Sequence, residues 1–247
     1  FAARILAAVR QKIHSSYCPN LRGQLCSYPV DYATGWRFVQ GLGVANQIIM
    51  TILFYTGLRP IELFVMETTQ VNVPGRWITI PKSKIGEPRG IPIHEAIVPL
   101  LTDMVENRPG KLVRTWDGAP FTVYDDNGGQ MKKAIAAGRL RTHVFDVAPY
   151  TARHSVSTQL VVNGVHPHIK DQIMGHAADD MSRLYTSVPQ PKLIEAINTL
   201  PTFPDWLDAD WMKSPVALTH RRAKTLKKAE RDAGNAALAA WQARRVA

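Results

Sequence analysis

Cysteine is almost absent: Cys18 and Cys26 are the only two in 247 residues, with seven residues between them in a stretch mixed with Pro, Gly and Ser. Two thiols make no disulfide framework, and no Cys-x-x-Cys or comparable spacing joins them to His14. A reduced intracellular chain without a metal centre is therefore expected. Long apolar runs are missing too. The longest, such as residues 48–58, fall well short of the roughly 20 residues that a membrane-spanning helix needs. The opening residues interleave basic and apolar side chains instead of blocking them, which does not read as a signal peptide. The first residue is Phe rather than Met, so further domains are expected upstream. No Gly-rich phosphate loop occurs, and no carboxylates pair at metal-ligand spacing. These absences argue against NTP hydrolysis and metal-dependent nuclease chemistry, and no cofactor is implied.

What is present in excess is positive charge. Thirty Lys and Arg against twenty Asp and Glu leave a net +10, and a polyanion, most commonly nucleic acid, is the natural partner of such a chain. Residues 221–247 hold eight basic and two acidic side chains, six of those ten net charges. Charge alone thus marks a basic tail more firmly than a DNA-binding body. An apolar content of 45% is ordinary for a globular domain and excludes wholesale disorder. The length suits one large domain, with or without an appendage.

Periodicity divides the chain. Ile5, Leu6, Val9 and Ile13 recur at helical spacing, so residues 1–16 read as an amphipathic helix, and the irregular 17–35 as a connector. One helix is expected over 37–57, stopped by Gly57, and a second over 60–69, with Pro60 in the favoured first turn. The runs 70–73, 76–83 and 88–94 are short and β-rich, which predicts a three-stranded antiparallel meander. Helical spacing returns over 94–107, 129–140, 151–164, 166–175 and 190–200, with Asn163-Gly164 and Gly175 as stops. After Pro201 the composition turns Pro/Trp/Asp-rich, then Ala-rich and basic. The expected fold class is mixed, mainly α with a small three-stranded antiparallel β-sheet. An N-terminal helix and connector would occupy 1–35, the main domain 36–200, and a C-terminal extension 201–247.

Four side chains could carry chemistry, and each has a plain alternative. Arg59 lies between a helix end and the next helix start, where it can simply pair with Glu62 at i+3. Lys84 sits in a strand-to-strand turn, the usual place for a solvated lysine. Arg153 opens a helix, where an arginine gains nothing from the helix dipole and is better explained by an anion. His176 follows a Gly-ended helix, where capping or solvent-facing histidines are commonplace. Together they differ from their parts. Two arginines, a lysine and a histidine can clamp a phosphate and stabilise its transition state. Tyr185 would add a nucleophile, since a cationic cluster can stabilise the anion of a phenol whose ordinary pKa is about 10.

These residues carry a resemblance. "TGLRPIEL" resembles the first-arginine box of the tyrosine recombinases, the phage integrase family. "PKSKIGEPRGIPI" resembles that family's β-hairpin, whose turn holds the catalytic lysine. "YTARHSVSTQLVVNGVHPHIKDQIMGHAADDMSRLYTSV" resembles the second box through to the nucleophile, and order and intervals agree over residues 45–190. The resemblance implies the DNA breaking-rejoining catalytic fold, with 36–200 as the catalytic domain. It also implies a site-specific recombinase or integrase that cuts and rejoins DNA through a 3′-phosphotyrosyl intermediate, without metal or ATP. Arg59 and Arg153 would bind the non-bridging oxygens of the scissile phosphate, Lys84 would protonate the leaving 5′-oxygen, His176 would donate a hydrogen bond, and Tyr185 would attack. Glu62 matches the acidic position of the first box and supports Arg59 or the fold. Lys82 competes with Lys84, which better fits the lysine-before-turn pattern. Implied partners are double-stranded DNA, self-assembly as a tetramer on it, and accessory DNA-bending proteins. The implied setting is cytoplasmic and nucleoid-associated, in a bacterial or phage-encoded mobile element.

One position departs from the pattern. Where the family usually has His, three residues before the second arginine, this chain has Tyr150, a weaker base that can still donate a hydrogen bond. His154 completes the frequent Arg-His pair but points about 100° away from Arg153 on a helix. Two other readings therefore stay open: a type IB topoisomerase-like nicking-resealing enzyme, and a catalytically weakened DNA-binding relative. Residues 1–20 are either the end of a core-binding domain or the first helix of the catalytic one. Residues 190–200 and the tail either meet a neighbouring protomer or cover their own core, and the basic tail either contacts DNA or is solvated. Asp179 and Asp180 suggest a polar linker that lets Tyr185 move.

Overall fold

The computed structural model describes residues 28–81, 88–121, 131–176 and 187–246. Lys82, Lys84, Asp179, Asp180, Tyr185, both cysteines, His14 and the expected helix over 1–16 lie outside the described residues.

The core is built around α2 (Val44–Thr56), in which every residue except Asn46 is buried. A helix apolar on all sides must be surrounded, and this one is packed against by α6 (Pro149–Val162), by α1 (Tyr32–Gln40) and by segments from the C-terminal end. The single helix expected over 37–57 is in fact the pair α1 and α2, because the apolar period runs on through a break at Gly41–Gly43 that it does not reveal. Close approach explains the break: a Cβ on Gly41 would lie 2.4 Å from Thr142 Cγ2. Beyond it, the Val44 N–H donates to the Arg221 carbonyl at 2.9 Å, so a distant segment satisfies one of the open donors of α2. The connector expected to reach residue 35 yields to α1 at Tyr32, since Asp31 caps that helix by accepting from Thr34 N at 2.7 Å.

Helix α3 (Pro60–Val65) is shorter than expected, and a 3₁₀ turn at Thr68–Gln70 leads into the sheet. Strands β1 (Val71–Asn72), β2 (Trp77–Ile80) and β3 (Arg89–Pro92) pair antiparallel in sequence order, the expected meander, with Val71 opposite Ile78 and Ile80 opposite Arg89. Side chains alternate along β3, so Arg89 shares the face of the fully buried Ile91. Helices α4 (Val98–Asn107), α5 (Lys132–Thr142), α6, α7 (Pro167–Met174) and α8 (Gln190–Ile197) follow. Helix α8 buries Leu193, Ala196 and Ile197 against β3 and α7 of its own chain.

Residues set apart by composition after Pro201 join the core. Three short helices, α9 (Pro204–Leu207), α10 (Asp210–Lys213) and α11 (Pro215–Leu218), close over α2 and α4. Trp206 is wholly buried, stacks on Trp36 at 5.4 Å and meets Tyr55 and Phe54 edge-on, and its Nε1 donates to Thr51 Oγ1 at 2.8 Å. The basic segment beyond is the helix α12 (Lys228–Val246), laid on α5 with Gly234 buried against Leu140.

Candidate active site

The site is assembled on the C-terminal end of α7. A helix end leaves carbonyls without intrahelical partners, each with a partial negative charge. Here three successive carbonyls are each met by a guanidinium from a different element. Arg89 Nη1 of β3 donates to the Ile173 carbonyl at 3.1 Å, Arg153 Nη2 of α6 donates to that of Met174, and Arg59 Nη2 donates to that of Gly175 at 3.3 Å. Arg153 also donates through Nη1 to the Gly57 carbonyl at 2.6 Å, which fixes α6 to the turn before α3.

Glu62 joins two of the three. Arg59 is the N-cap of α3, and its backbone N–H donates to Glu62 Oε2 at 2.8 Å while its Nη1 donates to Oε1 at 3.0 Å. Arg89 Nη2 donates to Oε2 at 2.6 Å. The plain reading of Arg59 as a partner of Glu62 at i+3 is thus correct, but the pair is not a surface one. Side-chain exposures are 18% for Arg59, 10% for Arg89 and 8% for Glu62, and Arg153 is equally buried.

The electrostatics are lopsided. Burial alone would raise the Glu62 carboxyl, but the hydrogen bond and charge of Arg89, then the bonds from Arg59, outweigh it and leave its pKa lowered. Arg153 is lowered to about 10, by burial first and then by the like charges of Arg59 and Arg89. Among the described residues, three guanidiniums around one carboxylate make a buried cluster with two positive charges in excess. Arg89 Nε is buried without a hydrogen-bond partner among the described residues. Such a cluster is disposed to take up an anion, because the anion supplies the missing counter-charge.

His176 follows at once. Gly175 adopts a left-handed conformation with φ of 62°, and a Cβ there would lie 2.7 Å from both Cδ and Nε of Arg89. Only glycine both makes this turn and admits the arginine. The chain turns back, so that the His176 N–H donates to the Asp171 carbonyl at 3.0 Å and the ring Nδ1 lies 3.0 Å from Asp171 Oδ1. Lys170 Nζ is 2.8 Å from the same oxygen. Burial would raise the Asp171 carboxyl, but the hydrogen bonds from Lys170 and His176 win and lower it.

Of the side chains singled out by sequence, the structure brings together Arg59, Arg153 and Glu62, and His176 follows directly after Gly175 with its ring on Asp171. Tyr150 lies one turn before Arg153 and is exposed. His154 is exposed beside the buried Arg153. Two residues were not singled out. Arg89 stands inside the quoted hairpin stretch, and its signal is its place two residues before Ile91 on an inward face. Asp171 has no helical-spacing signal, because its pairing with His176 depends on the left-handed Gly175.

Residues 36–190 match the model of the phage integrase family. The chain belongs to that family. Among relatives of this phage integrase chain, tyrosine recombinase XerA of Pyrococcus furiosus is 27% identical over 161 residues, covering 62% of this chain and 54% of that protein. Tyrosine recombinase XerD of Staphylococcus aureus is 25% identical over 161 residues, 63% of this chain and 54% of that one. The chain spans about half the length of the curated relatives it matches. Two solved structures share the fold. The integrase from mycobacterium phage Brujita has a TM-score of 0.53 at 18% identity, covering 83% of this chain and 73% of that one. The Tn1549 transposon integrase, solved in complex with circular intermediate DNA, has a TM-score of 0.51 at 20% identity, covering 85% and 76%. Arg59, Arg89, Arg153 and His176 all fall inside the phage integrase match, whereas Trp206 falls outside it.

Proposed function

We propose that this chain carries the catalytic domain, residues 36–200, of a site-specific DNA recombinase or integrase. Arg59 and Arg153 hold the non-bridging oxygens of a scissile phosphate. The Tyr185 phenolic oxygen attacks phosphorus and loses its proton, a phosphotyrosyl bond forms, and the bond to the 5′-oxygen breaks as Lys84 protonates that oxygen. His176 contributes a hydrogen bond to the phosphate, and Tyr150 stands beside Arg153 as a weaker hydrogen-bonding group. The bond energy stays in the phosphotyrosine, so a 5′-hydroxyl of a partner strand reverses the step without ATP. The observation that carries this reading is the buried cluster of Arg59, Arg89 and Arg153 around the carboxylate of Glu62. Relatives named tyrosine recombinases and a fold neighbour solved with DNA support it. The working form is a tetramer on double-stranded DNA aided by DNA-bending proteins, in the cytoplasm at the nucleoid.

The test is covalent capture. The chain is incubated with a library of randomised duplexes carrying a nick, which lets the cleaved end escape and traps the intermediate. Denaturant-resistant protein–DNA adducts that share a core sequence are expected with wild type and not with Tyr185→Phe. No adduct from any duplex, or equal adduct from the variant, overturns the proposal.

A further inference from the structure

We infer that Asp171 is a positioning residue that fixes which nitrogen of His176 faces the anion site; this rests on the reading of the arginine cluster as a phosphate site. Five residues apart on a continuous helix, the two side chains would lie about 140° apart around its axis and would not meet. They meet because Gly175 reverses the chain, and two bonds to one residue then hold His176: its N–H to the Asp171 carbonyl and its ring Nδ1 to the Asp171 carboxylate, each 3.0 Å. A carboxylate only accepts, so the ring nitrogen facing it carries the hydrogen. Nε2 is then the nitrogen left for a ligand.

Among the described residues, the charged groups placed beside this ring are Asp171 and Lys170 of α7. Asp171 supplies the negative charge in contact with the imidazole, and Lys170 holds the same carboxylate oxygen from a second side at 2.8 Å. For Nε2 to donate to a phosphate oxygen while Nδ1–H is held by Asp171, the ring must carry both protons. The Asp171 carboxylate supplies the acceptor and the opposite charge that such a ring meets at Nδ1. Asp171 therefore aims the ring and also supports the form that can donate.

The experiment is long-range ¹⁵N–¹H NMR of the labelled chain, with the His176 signals assigned by their loss in His176→Gln and inorganic phosphate as the probe. In wild type, His176 keeps its Nδ1 proton across the whole pH titration, and phosphate moves Nε2. In Asp171→Ala the fixed Nδ1–H pattern is lost, because no carboxylate faces that nitrogen. Asp171→Glu restores the pattern in part. Asp171→Leu, which keeps the volume without an acceptor, also loses the pattern and serves if the alanine variant does not fold. A folded Asp171→Ala or Asp171→Leu variant whose His176 ring-nitrogen shifts equal those of wild type overturns the inference. If phosphate moves no signal of Arg59, Arg153 or His176 in wild type, the phosphate-site reading fails instead, and the tautomer result is still read without any ligand.

Discussion

Glu62→Gln is the sharpest perturbation of the cluster. The glutamate accepts three hydrogen bonds, from Arg59 N, Arg59 Nη1 and Arg89 Nη2, and among the described residues supplies the one negative charge touching those two guanidiniums. Glutamine keeps the shape but turns one acceptor oxygen into a donor facing donors, and leaves the arginines without a counter-charge. Removing one partner of a buried ion pair costs about 3–5 kcal/mol, and the lower part of that range applies because Arg59 keeps 18% of its side-chain surface. For a chain of this size each kcal/mol moves Tm by about 2–4 °C, so a fall of roughly 10 °C is expected at pH 7. The pH sign follows from the lowered carboxyl. A carboxyl depressed in the fold contributes fully above its unfolded value, about 4.3, and loses that contribution as pH falls through its folded value. Wild type should therefore lose stability over that acid range while Glu62→Gln changes less. Differential scanning calorimetry at pH 7 and from pH 5 downward measures both. Inorganic phosphate should raise Tm more in the variant than in wild type, since the variant cluster lacks more counter-charge. A variant within about 2 °C of wild type at pH 7 would refute the reasoning.

Three further outcomes are expected. Trp206→Ala should lose about 3–5 kcal/mol in denaturant titrations despite lying outside the family match, because it removes a wholly buried ring and its bond to Thr51. Gly175→Ala should lose at least 1–2 kcal/mol to the left-handed backbone alone. It should also weaken phosphate binding measured by calorimetry, because its Cβ displaces Arg89. Arg153→Lys should leave non-specific DNA binding within a few-fold but reduce adduct formation by about 10²-fold or more, as expected for a lost transition-state donor; equal adduct yields would remove Arg153 from the proposed chemistry.

Much of the site was legible in the sequence because its residues stand in short contiguous stretches. Arg59 and His176 each sit at a helix end marked by Pro or Gly, and such ends are local events, whereas Arg153, expected to open its helix, is the fifth residue of α6, which starts at Pro149. The meander was legible for the same reason, from short β-rich runs between turn residues. What escaped depends on tertiary approach. The break at Gly41–Gly43 is imposed by Thr142, a hundred residues away in the chain, and nothing in the surrounding apolar period signals it. Arg89 turns inward only once strand register is set, and Asp171 reaches His176 only through the left-handed Gly175. Trp206 sits in a Pro- and Asp-rich stretch that reads as surface, yet its ring fills the space between α1 and α2.

The central claim is that Tyr185 is the nucleophile of a DNA strand transesterification, and the measurement that meets it most directly is peptide mapping of the trapped adduct. After nuclease and protease digestion, mass spectrometry should find a 3′-linked nucleotide remnant on the peptide that contains Tyr185, attached to its phenolic oxygen. A remnant on Tyr150 or any other residue, or an adduct that persists in Tyr185→Phe, would contradict the account.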